Sequence, residues 1–164
     1  MKTFAFNFVL ALVAVNVFFR FDMGIPYNGF TTFGAFFFFY FLLWLLSALY
    51  DQNHFRKVPK IVSLTLFFFK ELFMANLKVT WDVITPKFYM QPGVVAFPLV
   101  AQSDLEITIL ANLISLTPGT LSLDVPEDRK ILYFHAMYIE QGDIEAVIND
   151  VRNGFERRLL EITR

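Results

Sequence analysis

Four kinds of position in this 164-residue chain carry side chains that could do chemistry. The first is a carboxylate close to apolar sequence. A chain that carries ions needs an ionisable group within the bilayer, paired or facing an aqueous path. Asp22 stands at the end of one apolar run, and Glu71 follows Lys70 near the middle of another. Solvation at a helix end accounts for Asp22. Lys70 and Glu71 are sequence neighbours and so do not face each other on a helix; a solvated polar stripe accounts for them better than an ion relay. The second kind is histidine. His54 is expected among loop residues beside the inner membrane interface, and His135 in mid-strand as a packed or interfacial imidazole rather than a ligand. The third is a pair of amides, Asn7 and Asn16, which could hydrogen-bond a partner helix, a feature of assembly rather than transport. The fourth is Thr117-Pro118-Gly119-Thr120, whose default reading is a helix stop and turn. The chain has no cysteine, so disulfides and thiolate metal sites are excluded. It carries no phosphate-binding or dinucleotide fingerprint and no metal-ligand spacing. No catalytic residue, cofactor or metal is expected, and the chain is not read as an enzyme.

The elements that must hold these residues fall into two compositional halves. Of the 22 phenylalanines, 18 precede residue 75. Residues 1–87 hold eight Lys/Arg and four Asp/Glu, whereas residues 88–164 hold six and eleven. A greasy, basic front of this kind is typical of membrane proteins. No basic patch is interleaved with aromatics, which argues against nucleic acid as a partner.

Thr3 to Phe19 is an uncharged run of about 26 Å as a helix, and Gly29 to Tyr50 one of about 33 Å, close to a hydrocarbon core. "FFRFDMG" is a poor cleavage site, so the first run is read as retained. Gly24, Pro26 and Asn28-Gly29 supply a turn between the runs, giving a transmembrane helical hairpin over residues 1–58. Lys2 before it and Arg56, Lys57 and Lys60 after it place both ends in the cytoplasm; Arg20, on the outer side, runs against this. Residues 59–85 form an amphipathic helix. On a helical wheel Lys60, Ser63, Lys70, Glu71, Lys78 and Asp82 share a sector of about 120°, interrupted by Phe67 and Met74. A helix lying in the interface leaves Lys70 and Glu71 in water. The alternative is a third span whose polar stripe faces partner helices; burying a Lys at the bilayer centre then costs about 2.5–3.5 kcal/mol.

Residues 86–164 read as a soluble α+β domain of order β-α-β-β-α. Pro86, Pro92-Gly93 and Pro98 mark a linker and a short strand near Val94 to Val100, with Pro98 at an edge or strand end. Ser103 and Glu106 form a capping box that makes the following apolar run a helix, and Pro118-Gly119 ends it. Leu121, Leu123 and Val125 alternate as a half-buried strand. Ile131 to Ile139 is apolar on both faces and so central or covered. Asp143 to Ile162 is a helix with one apolar stripe. The first β-α-β is expected as a right-handed parallel crossover and the next pair as a hairpin, a truncated ferredoxin-like sandwich.

The stretch "LANLISLTPGTLSLDV", followed by "ILYFHAM", resembles the signature of the E subunit of the Mrp-type multisubunit sodium/proton antiporters, also called Mnh or Pha systems or monovalent cation/proton antiporter-3. The resemblance covers the whole chain. Asn112, Thr117, Pro118, Gly119 and Thr120 carry its longest motif, and His135 lies in its later strand. The resemblance implies an accessory subunit of a bacterial inner-membrane complex that exchanges cytoplasmic Na⁺ for external protons. It further implies a multi-pass chain with a cytoplasmic C-terminal domain. Its partners would be the other subunits and the lipid bilayer, with no small-molecule substrate bound by this chain alone. A direct part in the cation path, through Glu71 or Asp22, and a freestanding membrane-tethered binding domain are the competing readings.

Overall fold

The computed structural model describes residues 2–21, 26–86 and 90–164, without the side chains of Lys2 and Glu140. The chain forms two compact units, residues 1–59 and 60–164. The division falls within one long helix.

The first unit holds α1 (Lys2–Phe18), α2 (Gly29–Tyr50) and the start of α3 (Gln52–Ile84). Asn28 caps α2 by a reciprocal capping box with Thr31. α2 is long and apolar enough to cross a membrane, whereas α1 is a shorter apolar helix. Both expose large apolar side chains, Phe30 at 90 % among them, as lipid-facing helices do and globular ones do not. Phe18 meets Phe39 edge-on, with ring centroids 5.6 Å apart. α3 begins one residue after α2 because Asp51 acts as its N-cap: the His54 amide donates to Asp51 Oδ1 over 3.1 Å. His54 is therefore helical, not in a loop as expected. Pro59 lies inside α3 and has no N–H to give the Phe55 carbonyl four residues back. The Trp44 indole N–H donates to that carbonyl instead, over 3.1 Å, with its ring stacked on Phe55 at 4.9 Å.

The second unit joins residues 60–84 of α3 to a small α+β domain. Three strands, β1 (Gly93–Pro98), β2 (Thr120–Asp124) and β3 (Ile131–Ala136), form a sheet of order β1-β3-β2. β3 is central and antiparallel to both neighbours. β1 and β2, linked by α4 (Asp104–Leu116), thus run the same way with β3 between them; they are not adjacent parallel strands. Pro98 lies on an edge strand, where its missing donor disturbs no inner ladder. Val95, Phe97, Leu132, Phe134 and Ala136 alternate onto one face and are buried with Leu110 and Ile114 of α4 and with Phe155 and Leu159. The other face carries half-exposed His135 beside exposed Val94 and Leu121.

The last helical run is not regular. α5 (Ile144–Val151) passes through a π-turn (Arg152–Glu156) into α6 (Arg157–Thr163). The wider turn rotates Glu156 inward beside Phe155, and both are buried. A 3.6-residue wheel places Glu156 with the polar residues, so the sequence reading missed it.

Candidate functional site

The polar side of α3 is turned onto its own α+β domain. Leu64, Phe67 and Phe68 pack against the buried core. Phe67 meets Phe155 edge-on at 5.2 Å, and the Arg158 guanidinium lies 4.1 Å above its ring. Gly154 makes the approach possible, since a Cβ there would stand 2.8 Å from Phe67 Cζ. At the ends of the same face, Lys60 Nζ donates to the Glu161 carbonyl over 2.9 Å, and the Tyr138 hydroxyl donates to Asp82 Oδ2 over 2.5 Å. Burial and the adjacent Asp82 carboxylate push the Tyr138 phenol up to about 12. Lys78 Nζ lies 4.2 Å above the Tyr138 ring. Phe67, which interrupted the polar sector in the sequence, is thus the anchor of the contact. Val62, Leu66, Phe69, Phe73, Leu77 and Trp81 point away, each at least 50 % exposed.

Glu71 lines cavities of this seat, one of about 260 Å³ shared with Asp150, Tyr138 and Thr117 to Thr120. Lys70 Nζ lies 3.3 Å from Glu71 Oε1. The two do meet, against expectation. Their side chains are 69 % and 36 % exposed, so the pair adds little stability. Asp22 lies outside the described residues. Among the described residues, no three His, Asp or Glu side chains gather closely enough to hold a metal.

The Thr117–Thr120 turn closes α4. Thr117 Oγ1 and Thr120 Oγ1 each lie 2.6 Å from the Ile114 carbonyl, and the two hydroxyls are 2.9 Å apart. They add to the bond that the Thr117 amide already gives this carbonyl over 3.1 Å, so three donors close the helix end on one oxygen. Gly119 supplies a φ of 92°, and a Cβ there would meet Tyr138 at 3.3 Å. With its hydroxyls turned inward, the loop presents no free nucleophile. Asn112 is exposed on α4 in a shallow groove with Asp104, Thr108 and Arg129.

Two buried carboxylates tie this domain together. Glu106 Oε2 accepts the Gln102 and Ser103 amides at 3.0 and 3.3 Å, and Oε1 accepts the Thr163 hydroxyl at 2.6 Å. These bonds, Thr163's first, hold its carboxyl at about 2. Glu156 Oε1 accepts the Val100 and Ala101 amides at 2.7 and 3.0 Å. Glu106 is committed on both oxygens, and Glu156 Oε1 to two backbone amides; Glu156 Oε2 is buried 4.0 Å from Arg152 Nε, with no hydrogen-bond partner among the described residues.

A second polar cluster lies within residues 1–59. Asn7, 0 % exposed, accepts from the Tyr50 hydroxyl over 2.8 Å, and its Nδ2 lies 3.2 Å from His54 Nε2. The Thr3 hydroxyl donates to Asp51 Oδ2 over 2.5 Å. Asn7, which the sequence allowed to bond a partner helix, bonds α2 through Tyr50 and α3 through His54 of its own chain, while Asn16 is exposed.

A family of proteins described as "Na+/H+ ion antiporter subunit" matches residues 1–162. The chain belongs to this family. It is 46 % identical over 109 residues to the E subunit of the Na(+)/H(+) antiporter of Alkalihalophilus pseudofirmus, covering 66 % of this chain and 68 % of that one. It is 42 % identical over 130 residues to the corresponding E subunit of Bacillus subtilis, covering 76 % and 81 %. Its fold is similar to that of a chain in the membrane-bound sulfane sulfur reductase, an archaeal respiratory membrane complex, with a TM-score of 0.57, 21 % identity and 99 % of both chains covered. For a member of the Na+/H+ ion antiporter subunit family, the described geometry is that of a membrane-associated α+β protein in which Asn7, His54, Asp82, Glu106 and Glu156 are buried and bonded within the chain.

Proposed function

We propose that this chain is an accessory subunit of a multisubunit monovalent cation/proton antiporter, one that exchanges Na⁺ for H⁺ across a bacterial cytoplasmic membrane. α1 and α2 span the bilayer as a hairpin and pack against other subunits. α3 lies in the cytoplasmic interface, and the α+β domain, of truncated ferredoxin-like form, braces the assembly from the cytoplasm. The chain holds shape and contacts; the ions move elsewhere.

The observation that carries this reading is the use of α3's polar face. Its contacts with the α+β domain run from Lys60 to Asp82, about 33 Å of helix. Were that length to cross the bilayer, the domain seated along it would be drawn into hydrocarbon with its exposed charges. A helix in the interface keeps the domain in water and offers lipid the face of Val62, Leu66, Phe69, Phe73, Leu77 and Trp81. The exposure of Arg56 and Lys60 near the start of α3 suits an anionic inner leaflet. Glu71 then has no bilayer to conduct through.

Labelling of a cysteine placed at exposed Gln141 tests the topology in cells that make the whole complex, since the parent is free of cysteine. The cysteine is expected to react with an impermeant maleimide only in inside-out vesicles, and a tagged chain to co-purify with the other subunits. Reaction from the outer side of intact cells would overturn the arrangement.

A further inference from the structure

The cluster around His54 carries an inference beyond the accessory role. The Tyr50 hydroxyl donates to Asn7 Oδ1 over 2.8 Å, and the amide keeps this orientation as long as Tyr50 is the donor. Asn7 Nδ2, which can only donate, then faces His54 Nε2 at 3.2 Å. Nε2 must hold a lone pair, so the neutral imidazole carries its proton on Nδ1. That nitrogen is buried and has no hydrogen-bond partner among the described residues, and the residue is 3 % exposed.

We propose that the Asn7–His54 contact is a proton-operated clasp between α1 and α3, closed by neutral His54 and opened when His54 takes up a proton. A proton added at Nε2 points at the Asn7 NH₂, donor against donor. The amide could accept it only by turning over. That would set the NH₂ against Tyr50 and force the tyrosine from donor to acceptor. Both bonds that hold Asn7 in the closed arrangement therefore belong to neutral His54, and protonation breaks or exchanges the two together.

The groups facing His54 are few. From α1 come Asn7 and Phe4, whose ring centroid is 4.2 Å away and edge-on. From α2 comes Tyr50, through Asn7. Asp51, between α2 and α3, accepts the His54 amide and favours the charged ring; the amino-terminal charge disfavours it. Arg56 and Lys57 follow on the same helix. Burial is the largest influence and lowers the His54 pKa from its ordinary 6.5. A histidine buried neutral contributes stability above its unfolded pKa, lost as pH falls from there toward the folded value. The clasp is thus closed at neutral and alkaline pH and weakens on acidification. It belongs to the chain alone, so its test needs no transport and can fail while the accessory role stands.

The test uses the full chain in detergent micelles with ring-¹⁵N histidine and His135→Asn, which leaves one imidazole. At pH 8 the Nδ1-protonated tautomer is expected; the Nε2-protonated tautomer would overturn the proposal. The unfolding equilibrium constant is expected to rise as pH falls below 6.5, by up to tenfold per unit, and to be flat over that range in His54→Gln. An equal slope in His54→Gln would overturn it. Should that variant not fold, Tyr50→Phe frees the Asn7 amide to turn over. The ring's titration midpoint should then rise above the parent's, and an unchanged midpoint contradicts the clasp.

Discussion

Glu106 joins the start of α4 to the end of α6 through one carboxylate, with the Thr163 hydroxyl on one oxygen and the Gln102 and Ser103 amides on the other. Its pKa is depressed from 4.5 to about 2. A depressed carboxyl contributes stability that is present above its unfolded pKa and is lost as pH falls through the folded one. Acid unfolding of the domain is therefore expected to include a Glu106 component between about pH 4.5 and 2. Glu106→Gln should remove that component and cost about 1–3 kcal/mol at neutral pH, because an amide cannot accept as many bonds; urea melts at pH 7 and pH 4 of parent and variant measure both. The Ser103–Glu106 box was legible in the sequence, because its two residues are local and three apart. Thr163 was not, because it is distant in the chain and lies in a helix whose register the π-turn has shifted. The same turn hid Glu156. The Thr117–Thr120 motif was legible as a helix stop, since proline and glycine impose that locally; the convergence of both hydroxyls on the Ile114 carbonyl needed the fold. His54 was misplaced because the capping role of Asp51 went unread.

At the scale of elements, α2 was legible to the residue, because an uncharged run bounded by an Asn-Gly start and by Asp51 leaves few other choices. α3 was legible as amphipathic, but not what its polar side was for. Periodicity reports which residues share a face; it does not say whether water, lipid, another protein or the chain's own domain covers it. The entry into α3 yields a sharper expectation. If the Trp44 indole N–H replaces the donor that Pro59 lacks, then Trp44→Phe leaves the Phe55 carbonyl without a partner, at a cost of about 1–3 kcal/mol. In a Pro59→Ala background the new amide serves that carbonyl, and the same substitution should cost less. A double-mutant cycle by thermal unfolding should show a coupling of about 0.5–1.5 kcal/mol. Additive effects would mean that the indole contact does not answer the proline.

For the whole molecule, family membership rests on residues 1–162, which take in both the oily helices α1 and α2 and the α+β domain. The buried polar groups with transport chemistry to offer have structural occupations: Asp82 holds Tyr138, Glu106 and Glu156 hold backbone amides, and Asn7 and His54 hold each other. Glu71 differs from these: it is partly exposed and, among the described residues, is paired with the exposed Lys70. The measurement that tests the central claim most directly is therefore Na⁺-dependent H⁺ exchange in inside-out vesicles carrying the complete complex with Glu71→Ala. The structure gives Glu71 no role that the fold requires, so the complex should assemble and exchange should continue at the parent's rate. A complex that assembles normally yet loses Na⁺-dependent exchange would contradict the accessory role and put this chain in the path of the ion.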